Sequence, residues 1–167
     1  MSSKKDVKAQ AQARFGQYAQ DYVDSKSHAA GADLERLVAL AAPQADWIAL
    51  DVATGGGHTA LKIAPHVRQV VAVDLTPKML AAAHTFIEAQ AVDNVVFAAG
   101  DAEQLPFAPA SFELVTCRIA PHHFSRRAFG SGLSAQTEGD WDVFVAFRKA
   151  AFRGLRSWNS SPETCKC

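Results

Sequence analysis

Short apolar runs alternate, over the first two thirds of the chain, with longer segments of helical period. The runs are residues 47–51 (WIALD), 70–74 (VVAVD), 95–98 (VVFA, followed by Gly100 and Asp101) and 112–119 (FELVTCRI). Their length and β-branched content predict buried strands. Between them, residues 31–40 (GADLERLVAL) set Leu34, Leu37, Val38 and Leu40 on one side, with Pro43 beyond as a stop signal. Residues 59–67 predict a short helix broken at Pro65. Thr76 is the expected N-cap of a helix that has Pro77 at its first position and runs on through residues 79–91. Upstream, Phe15, Tyr18, Tyr22 and Val23 share a face interrupted by Gly16, which predicts an N-terminal helix or a pair of short ones. Its aromatics either pack on the domain or form a lid over a ligand. Strand, helix and strand at this spacing make a βαβ unit, which is parallel and right-handed. Beyond Phe124 the period is lost, and only residues 141–147 (WDVFVAF) again read as a strand.

Composition narrows the class. The chain has 167 residues, 49% of them apolar, enough for one domain with a core of its own. Seventeen basic and seventeen acidic side chains cancel, so no global field draws the protein to nucleic acid. No segment is long and apolar enough to span a bilayer, and residues 1–14 lack the apolar centre of a signal peptide. A cytoplasmic location and a small-molecule partner are expected; the oligomeric state is left open. Cys117, Cys165 and Cys167 form neither a disulfide framework nor a zinc set, and no metal is expected.

The candidate chemistry lies where the first strand meets three consecutive glycines. Gly55, Gly56 and Gly57 follow Asp51 closely, and a loop without Cβ atoms lets a ligand approach the backbone. Asp51 is expected at the mouth of that loop, and no Lys follows the glycines as a phosphate-cradling loop requires. A ligand carrying an ammonium or sulfonium beside a ribose suits such a site better than a pyrophosphate. S-adenosylmethionine has that chemistry. Asp51, Asp74 and Asp101 end three successive strands, and in a parallel sheet strand ends line one edge, where such folds bind ligands. Asp74 stands 17 residues past Gly57, near the interval at which an acid meets ribose hydroxyls. Taken singly, each of the three is also readable as an ordinary aspartate capping a turn.

These residues resemble class I S-adenosylmethionine-dependent methyltransferases, and most closely the group similar to the ubiquinone and menaquinone C-methyltransferases. The resemblance rests on DVATGGG at 51–57, VDLTPKML at 73–80, GDAEQLPFAPASFELVTCR at 100–118 and HHF at 122–124. It implies a Rossmann-like, doubly wound, mostly parallel α/β sheet. It further implies that Asp51 and the backbone of residues 53–57, with Ala53, Thr54, Gly55 and Gly57, hold the methionine part of the cofactor. Asp74 then takes the ribose diol, Leu75 and Met79 flank the adenine, Asp101 accepts the adenine amine, Ala102 supplies a backbone N–H and Arg118 lies near the cofactor. Ala53 stands where the family pattern has its first glycine, a replacement tolerated because alanine is small. His122 and His123 are candidate bases for an acceptor that must lose a proton, or else structural histidines at a strand end; His28 and His58 are weaker candidates. No catalytic residue is assigned.

The family pattern continues beyond the fourth strand with motifs that residues 125–167 lack. The expected organisation is N-terminal helices over 1–45, a cofactor-binding core over 46–124, and an atypical tail over 125–167, frame-shifted or poorly ordered, that leaves the sheet incomplete on its C-terminal side. Residues 136–141 (QTEGDW), with codons read one nucleotide later, give a basic residue, a position open to Leu, a second basic residue, a small or acidic one, Ile or Thr, then Gly, and the family places a similar basic, Leu, Lys, Pro, Gly, Gly string near here. Residues 141–147 are the candidate substitute for a fifth strand. The functional expectation is methyl transfer to a small-molecule acceptor, with C-methylation as its finer form. The alternatives are a truncated fragment that binds cofactor without catalysis and, against Asp51 and residues 100–107, a nicotinamide-dependent oxidoreductase.

Overall fold

A computed structural model of the chain describes residues 4–25, 32–108, 110–118 and 143–147. In order these form α1 (Lys4–Gln17), α2 (Ala19–Asp24), α3 (Ala32–Ala41), β1 (Ile48–Val52), α4 (His58–Ile63), β2 (Gln69–Asp74), α5 (Pro77–Glu88), β3 (Val95–Ala99), β4 (Leu114–Arg118) and β5 (Val143–Phe147). A 3₁₀ turn, Ala64–His66, closes α4 around Pro65, where the chain cannot continue an α-helix. The N-terminal segment is a pair of helices. They part at Tyr18, while Gly16 lies inside α1.

The strands form one sheet in the order β3-β2-β1-β4-β5. The β1–β2, β2–β3 and β1–β4 pairs are parallel. At the β4 edge, β5 runs antiparallel, with Leu114 opposite Phe147 and Arg118 opposite Val143. The stretch read as a substitute fifth strand thus pairs where that strand was expected, and an antiparallel edge on a parallel sheet is a common arrangement. Two layers of core follow from the two-residue period of the strands. Ala49, Val70, Ala72 and Leu114 face Leu37 and Ala41 of α3, Ala60 and Ile63 of α4 and Ile87 of α5. Leu50, Val52, Val73 and Cys117 face the other way and are covered by Ala102, Leu105, Phe107 and Phe112. Phe107 and Phe112 stack edge to face at 4.9 Å between ring centres.

Two local expectations change. Helix α5 ends at Glu88, and Ala91 takes a left-handed φ of 55° that stops it short of the predicted boundary. Thr76 holds the N-cap position of α5 but makes no side-chain cap; its backbone N–H bonds Asp74 Oδ1 at 2.8 Å instead.

Candidate functional site

The turn after β1 is built from the backbone. Thr54 N–H reaches Val73 O at 3.0 Å, tying the turn to β2, and Gly57 N–H closes it on Thr54 O at 2.9 Å. Ala53, Gly55 and Gly57 take positive φ values of 55°, 54° and 85°. The three glycines do different work. A Cβ on Gly57 would meet Ile87 and Ala83 at 3.0 and 3.1 Å, so this glycine lets α5 close on the turn. A Cβ on Gly56 would lie 3.0 Å from the carbonyl oxygen of Tyr22, so that one lets α2 close from the opposite side. At Gly55 the nearest atom is Met79 Cε at 3.8 Å. Of the docking surface read from three glycines, only Gly55 lacks a close neighbour at its Cβ position.

Asp51 is not at the mouth of the loop. It lies within β1 and is 1% exposed. Thr54 Oγ1 donates to its Oδ2 at 2.7 Å and Thr116 Oγ1 to its Oδ1 at 2.8 Å. The difference has a simple cause: β1 runs one residue past the acid, to Val52, and the two-residue period turns residue 51 toward the helix-covered face beside Thr116. Burial pushes its carboxyl up to about 6, against the two hydroxyl donors and the charge of Arg118.

Asp74 ends β2 at the rim of the same turn. Its Oδ2 accepts Gly55 N–H at 3.0 Å and its Oδ1 accepts Thr76 N–H at 2.8 Å. The acid thereby ties Gly55 to the end of β2. Burial raises its pKa, opposed by the backbone N–H groups of Thr76, Gly55 and Leu75 and by the Thr76 hydroxyl. Leu75 follows at once, and Met79 is buried beneath Gly55. Asp101 lies just past the end of β3, its Oδ1 accepting Glu103 N–H at 2.9 Å, and Ala102 is packed into the second core layer.

The N-terminal helices lie across this edge. Lys8 Nζ pairs with Asp101 Oδ2 at 2.5 Å and Glu103 Oε2 at 2.9 Å, and the two carboxylates raise its pKa. Gln12 Nε2 donates to Leu75 O at 2.7 Å. Gly16 sits against Thr76 and Lys78 at the start of α5. The ring of His58 contacts Tyr22 O through Nε2 at 3.2 Å, and burial lowers its pKa, so a neutral imidazole follows the glycines. Its ring packs edge to face on Phe86 at 4.8 Å. These contacts explain the aromatic face of the N-terminal segment only in part. Phe15 and Tyr22 meet edge to face at 5.9 Å, whereas Tyr18 is exposed.

Arg118, at the end of β4, is nearly buried and directs Nε to Asp33 Oδ2 at 2.5 Å, which ties the start of α3 to the sheet. Burial pushes Asp33 up, but the ion pair and backbone donors outweigh it and hold its pKa below the ordinary range. The sequence reading missed Lys8, Gln12, Asp33 and Thr116. Lys8, Gln12 and Gly16 recur every four residues, a one-sided polar and small-residue face that was the available signal for the first two. His28, His122, His123, Cys165, Cys167 and residues 125–167 other than 143–147 lie outside the described residues. Burial pushes the Cys117 thiol up, so it stays protonated inside the sheet.

A parallel sheet with an open glycine turn after its first strand and acids at the rims of the next two defines an α/β fold of the nucleoside-binding kind. The chain belongs to the methyltransferase domain family, whose model matches residues 49–135. It is 42% identical over 111 residues to an uncharacterized methyltransferase of Bacillus subtilis, YcgJ, covering 66% of this chain and 44% of that protein. The crystal structure of YcgJ superposes with a TM-score of 0.54 at 42% identity, over 55% of this chain and 39% of the other. A ubiquinone/menaquinone biosynthesis C-methyltransferase of Dinoroseobacter shibae is 42% identical over 89 residues, 51% of this chain and 35% of its own length. The chain thus spans less than half the length of these relatives. Among the described residues no helix is long and apolar enough to cross a membrane.

Proposed function

We propose that the protein takes part in S-adenosylmethionine-dependent methyl transfer to a small-molecule acceptor, with carbon as the atom methylated. The observation that carries the reading is the juxtaposition of Asp74 with the open Gly55 turn, 3.0 Å from carboxylate to backbone N–H. The residues fit the group: Gly55 leaves room for a ligand against the main chain, and Asp74 and Asp101 offer carboxylate acceptors on the same edge. His58, the residue after the glycines, is neutral rather than a phosphate-binding cation. On this reading Asp74 accepts the ribose hydroxyls and Asp101 the adenine amine, with Leu75, Met79 and Ala102 flanking the base. Thr54, Gly55, Ala53 and Gly57 shape the turn for the methionine part. Asp51 acts from behind, by holding Thr54, and Arg118 by anchoring α3.

When bound, S-adenosylmethionine supplies an activated methyl group, so the task of the chain is alignment and exclusion of water. The family membership supports the cofactor, and the likeness to a quinone C-methyltransferase supports the carbon acceptor. Residues 1–45, 46–124 and 125–167 then divide as strap, cofactor core and tail. A second reading is cofactor binding without turnover, since the groups of the site bind and position and none is assigned as catalytic, while acceptor specificity in such folds resides in loops outside the shared core.

Calorimetric titration with S-adenosylmethionine, with NAD as comparison and Asp74→Ala as control, tests the cofactor. Saturable binding of the first ligand alone, weakened in the variant, is the expected result; binding of NAD alone would sink it. A quinol acceptor assayed for a methylated carbon by mass spectrometry separates the two readings.

A further inference from the structure

We propose that Lys8 is a latch on the crevice: its ammonium holds the Asp101 carboxylate and gives way when an adenine amine binds there. The inference rests on the assignment of Asp101 to the adenine amine. Asp101 has two oxygens and both are engaged, Oδ1 by Glu103 N–H and Oδ2 by Lys8. An exocyclic amine is a hydrogen-bond donor of the same sense as an ammonium; although Oδ2 keeps a second lone pair, the charged donor already on it weakens it as an acceptor, so the two compete. Four residues on, one helical turn along α1, Gln12 occupies the backbone carbonyl of Leu75. The residue expected to flank the base therefore has its carbonyl already engaged. Helix α1 closes the adenine end of the crevice with two polar contacts, while α2, seated on Gly56 and His58, stays on the turn.

The latch is set to be weak. Lys8 and Asp101 keep 32% and 26% of their side-chain exposure, so solvent screens the pair. Glu103, 2.9 Å from the same ammonium, gives Lys8 a second carboxylate to retain as Asp101 is taken. Displacement is then a shift of the ammonium from one acid to its neighbour, not the unfolding of α1.

The test uses 5′-methylthioadenosine, which has the adenine and ribose without the charged methionine end, and the 167-residue chain with the variants Lys8→Met and Lys8→Arg. Binding to Lys8→Met is expected to be about threefold tighter than to the parent, the scale of an exposed ion pair, while Lys8→Arg, which keeps the cation, binds as the parent does. Acylation of the Lys8 amine, followed by mass spectrometry, is expected to speed up when the probe saturates the parent chain. Equal or weaker binding to Lys8→Met, or Lys8 acylation unchanged by bound probe, would overturn the latch alone. Absence of binding to every form would overturn the cofactor reading and the latch with it. Circular dichroism of each variant confirms that the fold is retained.

Discussion

Thr116 donates its hydroxyl to Asp51 across the β1–β4 pair at 2.8 Å, and neither residue is more than 1% exposed. A fully buried carboxyl with two hydroxyl donors is a structural pin for the glycine turn, and its ionisation is costly. The pin has a pH signature. The Asp51 carboxyl titrates near 3.8 when exposed and near 6 in the fold. Between those values the native state holds a proton that the unfolded chain has released. Stability from this group is therefore fully present below the unfolded value and lost as pH rises through 6, by roughly 3 kcal/mol. Asp51→Asn keeps a hydrogen-bonding amide and abolishes the titration. Urea unfolding at several pH values is expected to show the variant gaining on the parent between pH 4 and 7. Parallel curves would refute the assignment. Asp74, whose pKa is also raised, titrates in both proteins and largely cancels in the difference.

The three glycines of the turn give separable phenotypes. Gly57→Ala combines φ of 85° with contacts of 3.0 and 3.1 Å on α5 and is expected to cost on the order of 3 kcal/mol. The nearest neighbours of a Cβ in Gly56→Ala are backbone atoms of Tyr22 and Val23, at 3.0–3.2 Å. Its expected result is faster amide exchange over residues 19–24 with a loss of about 1 kcal/mol. Gly55→Ala makes only ordinary contacts, with Met79 Cε at 3.8 Å and Ala53 O at 4.0 Å, but has a φ of 54°. Its loss is about 1 kcal/mol, and its main effect is expected on S-adenosylmethionine binding in calorimetry.

Neutralising Asp33, one partner of Arg118, tests the tie between α3 and the sheet. Asp33→Asn leaves a guanidinium whose side chain is 5% exposed with a neutral amide in place of a carboxylate. Charge-assisted hydrogen bonds of this kind contribute about 1.5–3 kcal/mol. Since the folded pKa of Asp33 is lowered, its stabilisation is present above the unfolded value and is lost as pH falls. Thermal melts at pH 7 are expected to separate parent and variant, and melts near pH 3 to bring them together.

The four parallel strands were legible because each is a short apolar run of strand length. The residues 48–52, 69–74, 95–99 and 114–118 that form strands all fall within or beside the runs read from the sequence. Partners were not legible. Thr116 lies 65 residues from Asp51, and Lys8 lies 93 from Asp101; such pairs are set by how α1 and β4 pack, and no local period encodes them. Glycine roles were only half legible, since GGG announces a turn without saying which position meets a helix and which meets solvent. The same limit applied to α1, whose Ala and Gln content offers no apolar stripe to show which side faces the crevice.

Ala53 shows why the size of a side chain is the wrong criterion at a turn. Alanine was expected to be tolerated there because it is small. In the structure its φ is 55°, and the left-handed region costs an L-residue roughly 1–2 kcal/mol through the approach of Cβ to the backbone. Glycine removes that strain but adds about 0.4–1 kcal/mol of unfolded-state freedom. The two effects oppose, and the strain is the larger. Ala53→Gly is expected to stabilise the chain by about 0.5–1 kcal/mol in urea unfolding. S-adenosylmethionine binding is expected to be unchanged or tighter, because the turn keeps its bond from Thr54 N–H to Val73 O. A destabilised variant would mean that the Cβ of Ala53 makes a packing contribution that outweighs its backbone strain, and the turn would then be held by side chains as well as by its main chain.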